Sequence, residues 1–328
     1  MRTNARIKRF AWGTIVMIGV AAFVQSNVQP TCAQTVNNYH HTLAAAMTDP
    51  VILDVDVPKG ELQIFYSREG QVSVTASPQS SSRAMQETDL EAAIALVQDG
   101  NHIRVRHVSS SPEDSAAGVL YRIDVPYRTL VTATIYDGKL AISGILGPVQ
   151  AMTERGNITA SYISKELVAR AGSGDVDIQV IGARVDASTG NGNISCSRAA
   201  QGVTAETQAG DITLMVVGSS SATVKSGSGR INIGGARGAL QGATDAGEIR
   251  VKAVPYQDWH LRSAAGTVRI ELPPSARFNV EAASNSGEVD VERGDIPRAD
   301  EHHHLSQSVH GGGALIDART ESGRIVIQ

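Results

Sequence analysis

A glycine returns about every 18 residues through the last two thirds of this chain, each time opening a G-x-φ-x-φ pattern in which φ is apolar. The ten positions are Gly138, Gly156, Gly174, Gly192, Gly210, Gly229, Gly247, Gly266, Gly287 and Gly323. The steps between them are 18, 18, 18, 18, 19, 18, 19, 21 and 36, and the last is twice 18. So short and regular a period belongs to repeat architectures, in which each unit stacks only on its neighbours.

Each repeat carries two short alternating runs. Two and four residues after the glycine come pairs such as Val176 and Ile178, Ile194 and Cys196, and Ile212 and Leu214. Seven and five residues before it come Val149 and Ala151, Leu167 and Ala169, and Val185 and Ala187. Alternation with a period of two marks strands with one face inward and one outward, and runs this short exclude helices. Neither strand can bury its face alone, but coils stacked about 4.8 Å apart can. The expected fold is therefore all-β: a parallel β-solenoid, of the single-stranded β-helix type, with about 18 residues per coil. The glycines fall at the turns, where φ > 0 and close backbone approach are needed. Three residues before them stands a hydroxyl, as in Thr189, Thr207, Ser226 and Thr244. It shares the parity of the inward residues, so it should bond turn backbone from an inner corner.

Outside the repeat the chain divides as follows. Residues 1–33 read as a signal peptide: a basic start with Arg2, Arg6, Lys8 and Arg9, an apolar run over 11–24, and Thr31-Cys32-Ala33 ahead of a cleavage point. Fourteen apolar residues are too few to span a bilayer as a helix. No later segment is long and apolar enough to do so, so export to the periplasm, cell surface or exterior is expected. Residues 34–50 form a leader. Residues 51–130 form a β-rich N-terminal cap, with strands at 51–66 and 71–75 and a hairpin at 94–108 around Asp99-Gly100; a short helix within 82–97 is an alternative for part of it. Residues 131–328 carry the solenoid, interrupted by a polar excursion at 292–313. The closing rung ends in Ile325-Val326-Ile327-Gln328 and has no successor, so its edge should be exposed, with the excursion folded over it as a cap.

Composition narrows the function. Aromatic residues make up only 4% of the chain, so the core must be thin and built from Val, Ile, Leu and Ala, unlike that of a thick α/β enzyme. Net charge is −4, and without the basic leader 25 bases face 33 acids, a net of −8. That argues against nucleic acid or anionic lipid as a partner. Two cysteines exclude a disulfide-rich scaffold, and cleavage leaves only Cys196, which lies in an inward row.

Candidate chemistry is sparse. His302, His304 and His310, with His303, Asp300 or Glu301 nearby, are weak candidates to hold zinc or copper; a solvated polar loop is the expected reading. His40-His41 is a weaker pair of the same kind. Gly172-Ser173-Gly174 and Gly227-Ser228-Gly229 resemble phosphate loops but lead into strands, so no helix N-terminus awaits an anion. Asp175, Asp177 and Asp211 lack the nine-residue spacing of calcium-binding rolls. Arg184, Arg230, Arg250, Arg269 and Glu271 read as an outward, solvated face. No cofactor is expected. Coils of 18 residues leave no loops long enough to wall a catalytic cleft, so an enzyme is not expected either.

The segment Tyr121-Arg122-Ile123-Asp124-Val125-Pro126, the repeat Ala171-Gly172-Ser173-Gly174-Asp175-Val176-Asp177-Ile178 and the ending Thr320-Glu321-Ser322-Gly323-Arg324-Ile325-Val326-Ile327 together resemble the bacterial "putative adhesin" family, a β-strand-repeat domain of unknown function. The resemblance covers roughly 50–328 and implies an exported, non-catalytic binding protein with no catalytic residues to carry over. Its partner would be a polysaccharide or an envelope protein. The alternatives are a self-assembling structural protein, an envelope-stress sensor and, remotely, a polysaccharide-active β-helix enzyme. A monomer or a weak end-to-end oligomer is expected.

Overall fold

The computed structural model describes residues 39–44, 50–79, 93–108, 118–215, 221–296 and 302–328. All of them lie in one compact unit, Val36–Gln328. The leader up to residue 38, the segment in which a short helix was an alternative (80–92), and Asp300 and Glu301 fall outside the described residues.

The described residues are all-β and build a solenoid with two broad, parallel faces. Two long strands turn a corner and serve both faces: β2 (Ile52–Ser67) and β7 (Leu130–Ser143). After β7 the first face adds β8 (Val149–Arg155), β10 (Leu167–Ser173), β12 (Arg184–Asn191), β14 (Gly202–Ala209), β16 (Ala222–Ser226), β18 (Leu240–Thr244) and β20 (Trp259–Ser263). The second adds β9 (Ile158–Ile163), β11 (Val176–Ile181), β13 (Ile194–Ala199), β15 (Ile212–Met215), β17 (Ile231–Gly234), β19 (Ile249–Lys252) and β21 (Val268–Glu271). Register follows the sequence period: Leu167 lies between Val149 and Val185, and Cys196 between Ile178 and Leu214. Each inward row is therefore a continuous apolar ladder, and its members are almost wholly buried. Each Ile, Leu or Val so buried contributes about 1.5–3 kcal/mol.

Glycine is required at the corner by stacking. An ideal Cβ on any of the ten periodic glycines would stand 1.6–2.2 Å from the carbonyl oxygen of the glycine on the neighbouring rung. At Gly192 the oxygen is that of Gly174, and φ is +157°. The inner hydroxyls bond these same carbonyls. Thr189 donates to Gly174 O at 2.9 Å, Thr207 to Gly192 O at 3.0 Å, and Ser226 to Gly210 O at 3.0 Å. Ser226 also accepts the Gly229 N–H at 2.9 Å. Thr153 is the exception, a buried hydroxyl with no partner among the described residues. One position after the glycine, a second ladder forms. The amides of Asp175, Asn193, Asp211 and Arg230 donate, in turn, to the side chains of Asn157, Asp175, Asn193 and Asp211 at 2.8–2.9 Å. Asp175 and Asp211 thereby hold adjacent rungs together.

Both ends depart from the order of the sequence. The expectation of an exposed final rung is corrected: β25 (Ala314–Thr320) and β26 (Ile325–Ile327) do not lie at the end. They are inserted between the β20–β21 rung and the rung made by β22 (Phe278–Ser284) and β23 (Val289–Val291). Ile325, Val326 and Ile327 are all buried. The glycine contacts trace the same order, Gly323 meeting Gly266 O and Gly287 meeting Gly323 O. The excursion caps β22, and part of it is a strand, β24 (His304–Val309), antiparallel to β22 with Leu305 and Val309 buried. Its two inward residues stand four apart in a polar stretch, too sparse a pattern to read as alternation.

The N-terminal stretch holds rungs as well as caps. β2 is a full rung in register with β7, Gly60 opposite Gly138. It is itself clamped, because β5 (His102–His107) and β6 (Val119–Pro126) run parallel along its other edge. Antiparallel strands close that end: β4 (Ile94–Asp99) on β5 through the expected hairpin, β3 (Gln71–Pro78) on β6, and β1 (Tyr39–Ala44) on β3.

One buried carboxylate ties the inserted rung in place. Asp317 of β25 is 5% exposed and accepts bonds from Arg319 Nε at 2.7 Å, Arg262 at 3.1 Å and His260 Nδ1 at 3.4 Å. Burial alone would lift its carboxyl. The Arg319 and His260 hydrogen bonds, with the Arg319 and Arg262 charges, outweigh burial and hold it below the usual carboxylate range. A depressed carboxyl contributes stability in full above its unfolded value, near 3.9, and loses it as pH falls through the folded value.

Two outcomes are expected. Gly192→Ala should lower stability to urea by about 3 kcal/mol, since backbone must move to admit the methyl; an unchanged midpoint would refute the stacking constraint. Asp317→Asn should be less stable at neutral pH and should lose less further stability than the parent between about pH 6 and pH 2. Parallel acid titrations of the two proteins would contradict this.

Candidate functional site

The second corner of each coil, six residues past the glycine, is built differently from the first. Gly144 and Gly235 adopt φ of 80° and 70° there, as glycine does readily. In the rungs between, Tyr162, Val180 and Arg198 hold φ of 54°, 56° and 59°. Left-handed backbone costs an L residue about 1–2 kcal/mol, and a β-branched one is a clear outlier. Three successive rungs therefore keep a side chain where glycine would relieve strain. Outliers of this kind cluster at sites where the displayed group matters.

This corner also carries exposed aromatics. Tyr162 is 63% exposed, Tyr66 41% and Tyr127 42%. The rings of Tyr66 and Tyr127 meet edge to face with centroids 6.2 Å apart. Gly144 lies directly against Tyr66, where its own Cβ would come within 2.9 Å of the Tyr66 Cβ. Tyr66 and Tyr162 thus flank a gap at Gly144, two rungs or about 9.5 Å apart. Exposed Leu146 adjoins the group, its amide bonded to Tyr127 O at 2.7 Å.

Beside the corner runs the narrow third side of the solenoid. Backbone bonds step along it from Ser164 N to Ile145 O, Gly182 N to Ile163 O and Ala200 N to Ile181 O, at 2.8–2.9 Å. A groove of about 900 Å³ lies on it, lined by Tyr127, Arg128, Leu146, Lys165, Glu166 and Gln201 among others. Arg128 and Lys165 are exposed and enter no ion pair among the described residues. The broad faces differ: Arg230 meets Asp211 at 3.0 Å, Arg250 meets Glu271 at 3.2 Å, and Arg269 meets Glu248 at 3.5 Å. These three cations are used within the protein, while Arg128 and Lys165 have no ion pair among the described residues and are free to meet a ligand.

The residues singled out by sequence lie elsewhere. The histidines do not converge; among the described residues no three His, Cys, Asp or Glu side chains gather as metal donors. His302 and His304 are exposed, the His303 ring bonds Gly287 O, and His310 Nδ1 donates to Ala276 O at 3.0 Å. His40 reaches Thr75 Oγ1 at 3.0 Å. Cys196 is buried, and burial first, then the Asp177 charge, push its thiol up to about 12, so it is no nucleophile. Buried Tyr121 is pushed up as well. None of these groups borders the groove. The tyrosines escaped the sequence reading because it followed the rows that repeat, and the sixth position after the glycine does not repeat a residue type.

Val180→Gly should raise stability by up to about 1 kcal/mol, strain relief exceeding the added freedom of the unfolded chain. A loss in urea denaturation would show that this corner is unstrained.

Three solved structures resemble the chain. A "putative cell adhesion protein" from Clostridium sporogenes is 12% identical, covering 88% of this chain and 98% of its own, with a TM-score of 0.22. A "putative adhesin" from Bacteroides fragilis is 12% identical over 89% and 97%, with a TM-score of 0.30. Another from Parabacteroides distasonis is 10% identical over 90% and 98%, also with a TM-score of 0.30. Likeness this distant decides nothing about what this chain binds. No curated protein matches it. The profile of one domain family does match, across residues 53–328 and so across both clamped ends and every rung between them: the chain belongs to the Toastrack DUF4097 family.

Proposed function

We propose that this protein is an exported, non-catalytic binding module whose tyrosine-bearing corner holds a polysaccharide. The observation that carries this reading is the display of Tyr66, Tyr127 and Tyr162 beside an open groove, Tyr162 being kept there on left-handed backbone. A pyranose ring has an apolar C–H face and a polar rim. Flat tyrosine rings match the face, and their hydroxyls and the free Arg128, Lys165 and Gln201 side chains match the rim. Successive sugars would lie along the rungs, which offer platforms at a fixed spacing. Affinity would build from many weak contacts, as suits a surface module. The non-catalytic part of the reading rests on the coil length, since an 18-residue period leaves little loop to wall a cleft. Export rests on the basic and apolar run over 1–24. Among the described residues no helix is long and apolar enough to cross a membrane.

Binding to a panel of bacterial and host polysaccharides, with products assayed in the same wells, tests the reading. Saturable binding without products is expected. The combined Tyr66→Ala, Tyr127→Ala and Tyr162→Ala variant should keep its circular dichroism spectrum. At about 1 kcal/mol for each ring contact, it should bind on the order of a hundredfold more weakly. Binding unaffected by the three changes, or none to any polysaccharide, would overturn the proposal.

A further inference from the structure

The inserted last rung occupies a slot with two strand edges on each side. β20 and β21 form one wall, β22 and β23 the other, and residues 314–328 pair in register with all four. The slot is matched to this sequence in particular. Asp317 brings the carboxylate that His260 and Arg262 of the wall bond, and Thr320 brings the hydroxyl that donates to Gly266 O at 3.3 Å.

The chain enters the slot through a constrained hinge. β24 and β25 lie on opposite sides of β22, so that Phe278 pairs with both Val309 and Ala314. Residues 310–313 must carry the chain across β22, about 9.5 Å or two strand spacings. They do so with three consecutive left-handed residues: His310 at φ 52°, Gly311 at 86° and Gly312 at 80°. Side chains brace the turn, His310 Nδ1 donating to Ala276 O at 3.0 Å and Asn279 Nδ2 to Gly313 O at 2.9 Å. Short strained hinges favour exchange of the element that follows them.

We propose that two copies of this chain exchange residues 314–328, each filling the other's slot in a two-fold symmetric dimer. The exchange keeps every rung contact, including the Asp317 cluster, because the slot and its occupant are unchanged. It releases only the left-handed hinge and its braces. Opened, four residues reach about 13 Å, enough to bridge two facing C-terminal ends. The partner is a second copy of this chain, since residues 314–328 are the segment that fills this slot in register with both walls. The dimer would present two grooves from one particle, but it does not depend on what those grooves bind.

Arg262 and Arg319 are exposed register partners across one wall of the slot, which makes the exchange measurable. Two full-length chains, one carrying Arg262→Cys and the other Arg319→Cys, with Cys32 and Cys196 replaced by Ala in both, are unfolded, mixed, refolded at high concentration and oxidised. A disulfide-linked heterodimer that elutes with the dimer peak is expected. Monomers alone, or a dimer without the cross-link, would overturn the proposal. Independently, the double change Gly311→Val and Gly312→Val penalises the closed left-handed hinge while keeping its length. The dimer share, by light scattering, should then rise at least tenfold over the parent, and an unchanged monomer share would count equally against exchange.

Discussion

The contact between stacked glycines sets the terms for everything else in this molecule. Rungs spaced about 4.8 Å apart leave no room for a Cβ where one corner passes over the next. That exclusion fixes the register, and the register aligns like residues into rows. Apolar rows become a core without large side chains. The hydroxyl row bonds the crowded carbonyls, and the Asn and Asp row ties amides between rungs. At the second corner no carbonyl stands in the way; the atom crowding Gly144 is the Tyr66 Cβ. There Tyr162, Val180 and Arg198 can be carried. One corner is therefore uniform and structural, and the other variable and available for recognition.

Most of the fold was legible in the spacing of Gly138 to Gly323, because a period of 18 with two alternating runs admits little besides stacked short strands. The parity of Thr189 and Thr207 placed their hydroxyls inside. The order of the rungs was not legible. Stacking is governed by the same glycine, hydroxyl and apolar rows in every rung, so those rows do not say which rung follows which; side chains that do not recur, such as Asp317 with His260 and Arg262, do. The insertion of β25–β26 ahead of β22–β23 leaves only a faint mark, the step of 36 before Gly323. The candidate site was hidden for a related reason. Period-seeking gives weight to positions that recur, whereas Tyr66, Tyr127 and Tyr162 matter through exposure and adjacency.

The charge pattern separates scaffold from site in the same way. On the broad faces, Arg230, Arg250 and Arg269 meet acids on nearby rungs. On the narrow third side, Arg128 and Lys165 have no such partner among the described residues, and the groove they border adjoins the aromatic corner. A net acidic protein can thus present a local surface rich in donors and rings. Composition averaged over the chain would not reveal it.

Both the first rung of the chain and the last are held between other rungs, β2 between β5–β6 and β7, and β25–β26 between β20–β21 and β22–β23. Copy number is therefore constrained from both ends. A rung gained or lost at either terminus would break a clamp, whereas a duplicated 18 residues in the middle would find matching rows on both sides. Lineages of this fold should lengthen and shorten by internal duplication and deletion, with the second corner lengthening rung by rung as they do.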